Sequence, residues 1–394
     1  MEFHGPGCAS LTSIQPLMTS IIQAFLLTAA SMLAAPSQSI DIVFAGDAMQ
    51  HQRQIDAARQ PDGSYDYTPY YKAIQPYIAS ADYAVVNLET PLGGAPYSGY
   101  PMFCAPDSYL SALKDAGFDL ILTANNHALD RRDKGLRRTV STIQDMGLPW
   151  IGTYCNAAQR AEVLPRIIDV QGFKIAFLNY TYGTNGITIQ GDAIVDHIDR
   201  TLMTRDISEA RKAGAEIVAV AVHWGDEYHL LPNESQRSLA DFLTDQGVDL
   251  IIGGHPHVIQ PMEIRHSDRH DKDVFLCYSL GNFISGMRKT DTRGGATARI
   301  TLTRDSLGHA VVDKATYRMV FVLPPDHTCS NFRLISSEQD TPPEMTTARD
   351  AFVRNARAIF DRHNVHVPLD TVSLWDYNTR MMIQQCSLPD SISQ

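Results

Sequence analysis

Cysteine pairs are lacking in this chain. Its six cysteines, Cys8, Cys104, Cys155, Cys277, Cys329 and Cys386, are scattered, and no two stand in a CxxC arrangement. That argues against a zinc ribbon and against the dense cysteine framework of a small secreted domain. Cys277 lies inside the apolar run VFLCYSL, where a thiol packs as a small core residue. Basic runs are lacking as well. The chain carries 33 Lys and Arg against 44 Asp and Glu, a formal net charge of -11. Such a surface repels a phosphate backbone, so no nucleic acid partner is expected. A small phosphorylated substrate stays admissible, because bound metal ions reverse the field locally.

The first 50 residues hold no Lys or Arg. Within them the apolar stretch LMTSIIQAFLLTAASMLAAPSQS is broken by Thr, Ser and Gln, too dilute for a stable membrane span. It has the form of a secretory h-region, and Ala35-Pro36-Ser37 fits a small-x-small cleavage pattern. The missing basic n-region leaves two readings open: a signal segment or an N-terminal extension over residues 1–37. The first is the expectation, and it places the protein in the periplasm, at the cell surface or outside the cell, with a cytoplasmic location as the alternative.

What is present is a long chain with an ordinary core. Of its 394 residues, 44% are hydrophobic, enough for one large domain with additions or for two. Short, nearly continuous β-branched runs read as buried strands: IDIVFAGD, ADYAVVNLE, FDLILTANNH, FKIAFLNYTYG, AEIVAVAVHWG, VDLIIGGHPH and DVFLCYSLGNF. Helical patterns alternate with them. SYLSALKDAGF stops at Gly117, KGLRRTVSTIQDMGL stops at Gly147, and SQRSLADFLTDQGV, with Ser235 as its expected N-cap, stops at Gly247. This alternation predicts α/β architecture. After it, a hairpin is expected about RDSLGH, then loops at PPDHTCSNF and QDTPPEMTT, and a helix over residues 346–363.

Six of the apolar runs end in groups that bind metal or polarise a substrate. They are Gly46-Asp47, Asn87-Leu88-Glu89, Asn125-Asn126-His127, His223-Trp224-Gly225, His255-Pro256-His257 and Gly281-Asn282. Any one of these is explained by a turn, a cap or a core histidine. All six together, each directly after a strand, are not, because loops at the carboxyl ends of strands converge on one site. Carboxylate, amide and imidazole form an O/N donor set that suits Mn, Fe or Zn.

FAGDAMQH, VVNLETPLGG, LTANNHALDR, VAVHWGDEY, IIGGHPHVIQPME and YSLGNF, in this order, resemble the calcineurin-like metallophosphoesterase superfamily, and more closely the CapA-type family of poly-gamma-glutamate capsule synthesis. The resemblance implies a four-layer αββα β-sandwich flanked by helices, with a C-terminal hairpin and helix addition. It covers about residues 40–283 and implies one or two divalent transition metal ions at one edge; the domain is expected over residues 38–325 and a C-terminal extension over 326–394. By the same resemblance Asp47, Glu89, Asn126, His223, His255 and His257 are metal ligands, Glu89 standing where the metal-bridging aspartate is usual. His127, held by Asp130, is the general acid. The first motif departs from the superfamily: Asp47-Ala48-Met49 lacks the histidine of Asp-x-His, and His51 does not keep its spacing.

Asn87, Arg131, Glu227 and Asn282 are expected at the substrate or behind the ligands, Asn282 as the anchor of a loop at the site, with a solvated helix start as the alternative for Arg131. The aromatic, Gly-rich segments 96–101 and 179–186 are candidates for a lid. The motifs do not choose between phosphorus and a carbonyl carbon as the point of attack. Two functions follow: a metal-dependent hydrolase of an anionic small molecule or polymer, or an exported, membrane-near accessory of capsule or polyglutamate assembly with a metal site and little turnover.

Overall fold

A computed structural model of the chain describes residues 1–2 and 39–379. The Ala35-Pro36-Ser37 site, Cys8 and Cys386 lie outside the described residues. In chain order the strands are β1 (Ser39–Ala48), β2 (Tyr83–Leu88), β3 (Leu120–Leu122), β4 (Trp150–Ile151), β5 (Thr153–Tyr154), β6 (Arg166–Val170), β7 (Phe173–Thr181) and β8 (Ile194–Val195). They continue as β9 (Ile217–His223), β10 (Leu250–Gly254), β11 (Met262–Ser267), β12 (Lys272–Cys277), β13 (Asn282–Ile284), β14 (Gly294–Arg304), β15 (Ala310–Leu323) and β16 (Arg333–Ser336). The helices of seven or more described residues are α1 (Gln52–Ala58), α2 (Asp107–Asp115), α3 (Arg132–Asp145), α4 (Ala157–Val163), α5 (Arg200–Lys212), α6 (Glu234–Asp245) and α7 (Pro343–His363).

The strands form two large sheets, besides a small one in which β5 pairs with β8. One has the order β16-β15-β14-β1-β2-β3-β4, with β13 also on β1; the other has the order β11-β12-β10-β9-β7-β6. Side-chain alternation explains how the second sheet is covered on both faces. In β9, Ile217, Ala219 and Ala221 join the large core shared with the first sheet. Val218, Val220 and Val222, between them, join Met203 and Ile207 of α5 and Leu239 and Leu243 of α6 in a separate core. Phe177 of β7 meets Phe44 of β1 and Tyr83 of β2 across the sheets, with ring centroids 6.4 and 5.4 Å apart. Leu110 and Leu113 of α2 and Leu136, Val140 and Ile143 of α3 enter the large core as well. The result is the expected helix–sheet–sheet–helix layering. No helix among the described residues is long and apolar enough to cross a membrane.

Two local readings are corrected. The N-cap of α6 is Asn233, not Ser235: the Asn233 side chain accepts from Gln236 N at 2.9 Å, and Gln236 Oε1 accepts from Asn233 N at 3.0 Å, a reciprocal capping box. Helix α7 starts at Pro343, three residues before the expected 346. Proline suits the first helical turn, where its missing N–H has no partner to lose. The hairpin at RDSLGH joins β14 and β15 as expected. Strand β16 is the edge strand of the first sheet, and α7 packs Phe352 on Phe321 and Phe360 on Tyr317, with centroids 5.8 and 4.3 Å apart.

One detail positions the site. β1 pairs with β14 as far as Ala45, and beyond that β13 takes over with Asp47 opposite Asn282. The exchange occurs at Gly46, where a Cβ would stand 2.1 Å from the Gly281 carbonyl oxygen, so only glycine lets the strands approach. The parallel strands β1, β2, β9 and β10 then present their carboxyl ends together, with Gly254 in register with His223.

Candidate metal centre

Asp47, Glu89, Asn126, His223, His255 and His257 are all buried and converge on one point. Two groups of three are close enough to hold an ion: Asp47, Glu89 and His223, and Glu89, His255 and His257, with the donor atoms of each group within 4.8 Å of one another. Glu89 belongs to both. His223 Nε2 lies 2.9 Å from Asn126 Oδ1 and 3.5 Å from Glu89 Oε1. His257 Nε2 lies 3.8 Å from the same Glu89 oxygen.

The polar atoms left over show that the cluster fits a cation. Both carboxylate oxygens of Glu89 and Nδ1 of His255 are buried without a hydrogen-bond partner among the described residues. Unpaired buried polar atoms are costly, and a carboxylate most of all. A divalent ion bound by these O and N donors removes that cost. The charges tell the same story. Burial, and then the charge of Glu89, push Asp47 up to about 6. Burial pushes Glu89 up to about 8. Burial lowers His223 and His257 to about 4 and drives His255 well below the ordinary imidazole range. Neutral imidazoles are the form that ligates a metal.

The backbone is held in an uncommon conformation here. His255 and His257 adopt φ of 99° and 57°, the left-handed region that non-glycine residues rarely enter. Such strain gathers where a fold must aim particular side chains. Room is made by Gly254, where a Cβ would lie 2.8 Å from Asp47 Oδ1.

Neighbouring groups orient the ligands. Asn87 donates to Asp47 Oδ1 at 2.8 Å, and the His255 backbone N–H donates to Asp47 Oδ2 at 3.1 Å. Asn282 Oδ1 lies 3.1 Å from His257 Nδ1, and Asn282 donates to the Thr292 carbonyl. Accepting from Nδ1–H fixes the tautomer that leaves Nε2 free to ligate. His127 Nδ1 is 2.7 Å from Asp130 Oδ2, which also accepts from Phe103 N. Burial lowers the His127 pKa, but the Asp130 hydrogen bond and the charges of Glu89 and Asp130 outweigh it and hold the ring above its ordinary value.

Neither Arg131 nor Glu227 hydrogen-bonds to a candidate ligand among the described residues. Arg131 donates to the Pro96 carbonyl, so it braces the loop around that proline. Glu227 is exposed, and its charge raises Glu89 and favours protonation of His223. Several residues were not anticipated. Asn185 accepts from Asn126 Nδ2 at 3.2 Å and lies 3.5 Å from His127 Nδ1. Asn125 donates to Asn87 Oδ1 and to the Leu88 carbonyl. Tyr182 places its ring 4.6 Å from His255. Of these, Asn125 carried a signal in the sequence as a strand-end amide, and Tyr182 and Asn185 lie in the segment 179–186 read there as a candidate lid.

The layered fold, with its buried O and N donors gathered at the strand ends, defines the class: an α/β protein of helix–sheet–sheet–helix layering with a candidate metal centre. Within it the chain belongs to the bacterial capsule synthesis protein family PGA_cap, which matches residues 41–287. Among curated proteins it is similar to the capsule biosynthesis protein CapA of Bacillus anthracis, 26% identical over 76% of this chain and 74% of that protein. It is also similar to the PGA biosynthesis protein CapA of Bacillus subtilis (strain 168), 30% identical over 67% of this chain and 68% of that protein. Among solved structures it resembles the NAD nucleotidase of Haemophilus influenzae, with a TM-score of 0.45 and 10% identity over 91% of this chain and 62% of that one.

Proposed function

We propose that the protein is a metal-dependent hydrolase acting on an anionic substrate in poly-gamma-glutamate capsule biosynthesis, with Asp47, Glu89, Asn126, His223, His255 and His257 as ligands of one or two Mn, Fe or Zn ions. The observation that carries this is the unpaired, buried Glu89 carboxylate shared by both three-residue groups. When bound, the metal would supply Lewis acidity and an activated water. The chain's own residues do the rest. Asn87 and Asn282 hold Asp47 and His257 in aim. Asp130 keeps the Nδ1 proton of His127, so Nε2 delivers a proton to the leaving oxygen. Burial of the cluster excludes bulk water and strengthens each charge interaction within it.

A second reading, an assembly factor with a metal site and little turnover, is favoured by one residue. Met49 stands where the superfamily has histidine and is itself buried. Export through residues 1–37, proximity to the membrane, and contact with the polymer-assembling machinery belong to both readings. A screen of metal-loaded protein against generic phosphoesters and γ-glutamyl peptides tests the first. Turnover that vanishes in His127→Ala with metal retained supports it; a metal-loaded protein inert on every substrate supports the second.

A further inference from the structure

Asn126 is the one candidate ligand whose donor belongs to an amide, and an amide can present either of two ends. Its Oδ1 can ligate a cation; its Nδ2 carries two hydrogens and no free lone pair, and cannot. Half a turn about the last side-chain bond exchanges the two ends without changing the shape of the group, so only its hydrogen-bond partners decide which end faces the cluster. In the structure Oδ1 lies 2.9 Å from His223 Nε2, and Nδ2 donates to Asn185 Oδ1 at 3.2 Å. An imidazole that ligates through Nε2 has no hydrogen there, so the His223 contact cannot hold the amide once a cation is bound. The bond to Asn185 can. Tyr182, three residues before Asn185, adds to it: burial and then the charges of Glu227 and Glu89 raise the phenol, and a hydrogen bond with the Asn126 amide offsets part of that rise.

Asn185 stands on no helix or strand. It lies in the loop between β7 and β8, at φ 51°, in the left-handed region that asparagine tolerates better than most residues. The loop is fastened at both ends. At its start Tyr182 N donates to the His223 carbonyl at 3.0 Å. A tight turn follows, in which Ile187 N donates to the Thr184 carbonyl at 2.9 Å and Thr184 Oγ1 to the Ile187 carbonyl at 2.7 Å. At the far end both carboxylate oxygens of Asp133 accept backbone N–H groups, from Gln190 at 3.1 Å and Gly191 at 2.7 Å. A Cβ at Gly191 would stand 2.9 Å from Asp133 Oδ2, so this approach requires glycine. Arg137 pairs with Asp192 beside it. Asp133 lies in the first turn of α3, three residues beyond Asp130. One stretch of chain thus carries Asn126, His127 and Asp130 and also the anchor of the loop that covers them.

We propose that Asn185 is a positioning residue of the metal centre: its side-chain oxygen fixes the Asn126 amide with Oδ1 toward the cluster, and Asp133 holds the loop that brings it there. This rests on the metal-dependent hydrolase reading, because the aim of Asn126 matters only if it is a ligand. Asn185 does not act through His127. Its Nδ2 lies 3.5 Å from His127 Nδ1, but that nitrogen gives its hydrogen to Asp130 and has no lone pair to offer. Nor is Asn185 part of the core, since its side chain is exposed.

The test is titration of the full chain with Mn, with the unfolding temperature of each metal-free variant recorded. Asn185→Gly suits the positive φ and removes the acceptor. The expected result is roughly tenfold to a hundredfold weaker Mn binding with little change in unfolding temperature. Asn185→Asp keeps an oxygen for Asn126 Nδ2 and is expected to bind Mn about as wild type does. In an Asn126→Asp background the side chain presents oxygen whichever way it turns, so adding Asn185→Gly is expected to change Mn affinity little. Asp133→Ala is expected to weaken Mn binding too, and to add little to the loss in Asn185→Gly, because both act through one contact. Mn affinity in Asn185→Gly equal to that of wild type overturns the proposal. So does an equal loss in Asn185→Gly and Asn185→Asp, or an undiminished effect of Asn185→Gly beside Asn126→Asp, since either shows a general loosening of the site. Additive losses in Asp133→Ala and Asn185→Gly overturn the part given to Asp133. These failures leave the metal reading intact; a wild type that takes up no Mn, Fe or Zn overturns that reading itself, and the role of Asn185 with it.

Discussion

At the residue scale, the groups proposed to hold metal differ from the one proposed to handle a proton. His127 touches Asp130 and Asn185 and belongs to neither three-residue metal group. His127→Ala is therefore expected to leave metal content nearly intact while lowering any hydrolytic rate on the order of 10²–10⁴-fold. His255→Ala is expected to lower metal content and rate together, because it removes a ligand. Elemental analysis beside a rate measurement checks both; equal loss of metal in the two variants would make His127 a ligand. Asn282→Ala keeps every donor but frees the His257 ring, and the expected outcome is roughly 10–100-fold weaker metal affinity in a titration, with the fold retained. An unchanged affinity would show that the 3.1 Å contact to His257 does not orient it.

At the scale of elements, what could be read in the sequence was whatever repeats along the chain. Apolar runs that end in Asp47, Glu89, Asn126, His223 and His255 mark both the strand and the place where it stops, so the layered fold and the cluster of buried donors at its strand ends were legible together. What could not be read depends on topology. Asn185 reaches Asn126 from 59 positions away, and β13 replaces β14 beside β1 only because Gly46 lets the Gly281 carbonyl in. Arg131 looked like an anion contact because it follows the Asn-His motif, but the chain turns there and its guanidinium meets the Pro96 carbonyl. Tyr182 lies in the segment read as a candidate lid, but its place against the His255 ring was not legible until the loop bearing it was placed. The end of β10 gives a prediction of its own. A Cβ at Gly254 would press within 2.8 Å of Asp47 Oδ1, so Gly254→Ala is expected to shift that carboxylate and weaken metal binding more than it lowers the unfolding temperature. Full metal affinity in that variant would show that the approach is not needed.

At the scale of the whole molecule, the cluster links stability to pH and to metal. In the folded, metal-free protein Asp47 and Glu89 titrate at about 6 and about 8, above their ordinary 3.8 and 4.5. An acid raised in this way favours the folded state while protonated, and that advantage is lost as pH rises through the folded values. His223 and His257, lowered to about 4, act at the other end: their cost appears as pH falls below 6.5. Between about pH 6.5 and pH 8, above the Asp47 value and below that of Glu89, Glu89 therefore dominates, and the unfolding midpoint of metal-free protein is expected to fall across that window. Added Mn should reverse the trend, since the ligands bind it deprotonated. A midpoint that rises with pH without metal would contradict this balance. The most direct test of the central claim is the metal content of protein purified without chelator and then titrated with Mn, Fe and Zn, wild type beside Glu89→Gln. Because Glu89 is common to both three-residue groups, the expected result is uptake of up to two equivalents by wild type and loss from both places in the variant. A wild type that stays metal-free under all three titrations, or a Glu89→Gln protein that binds as wild type does, would contradict the account.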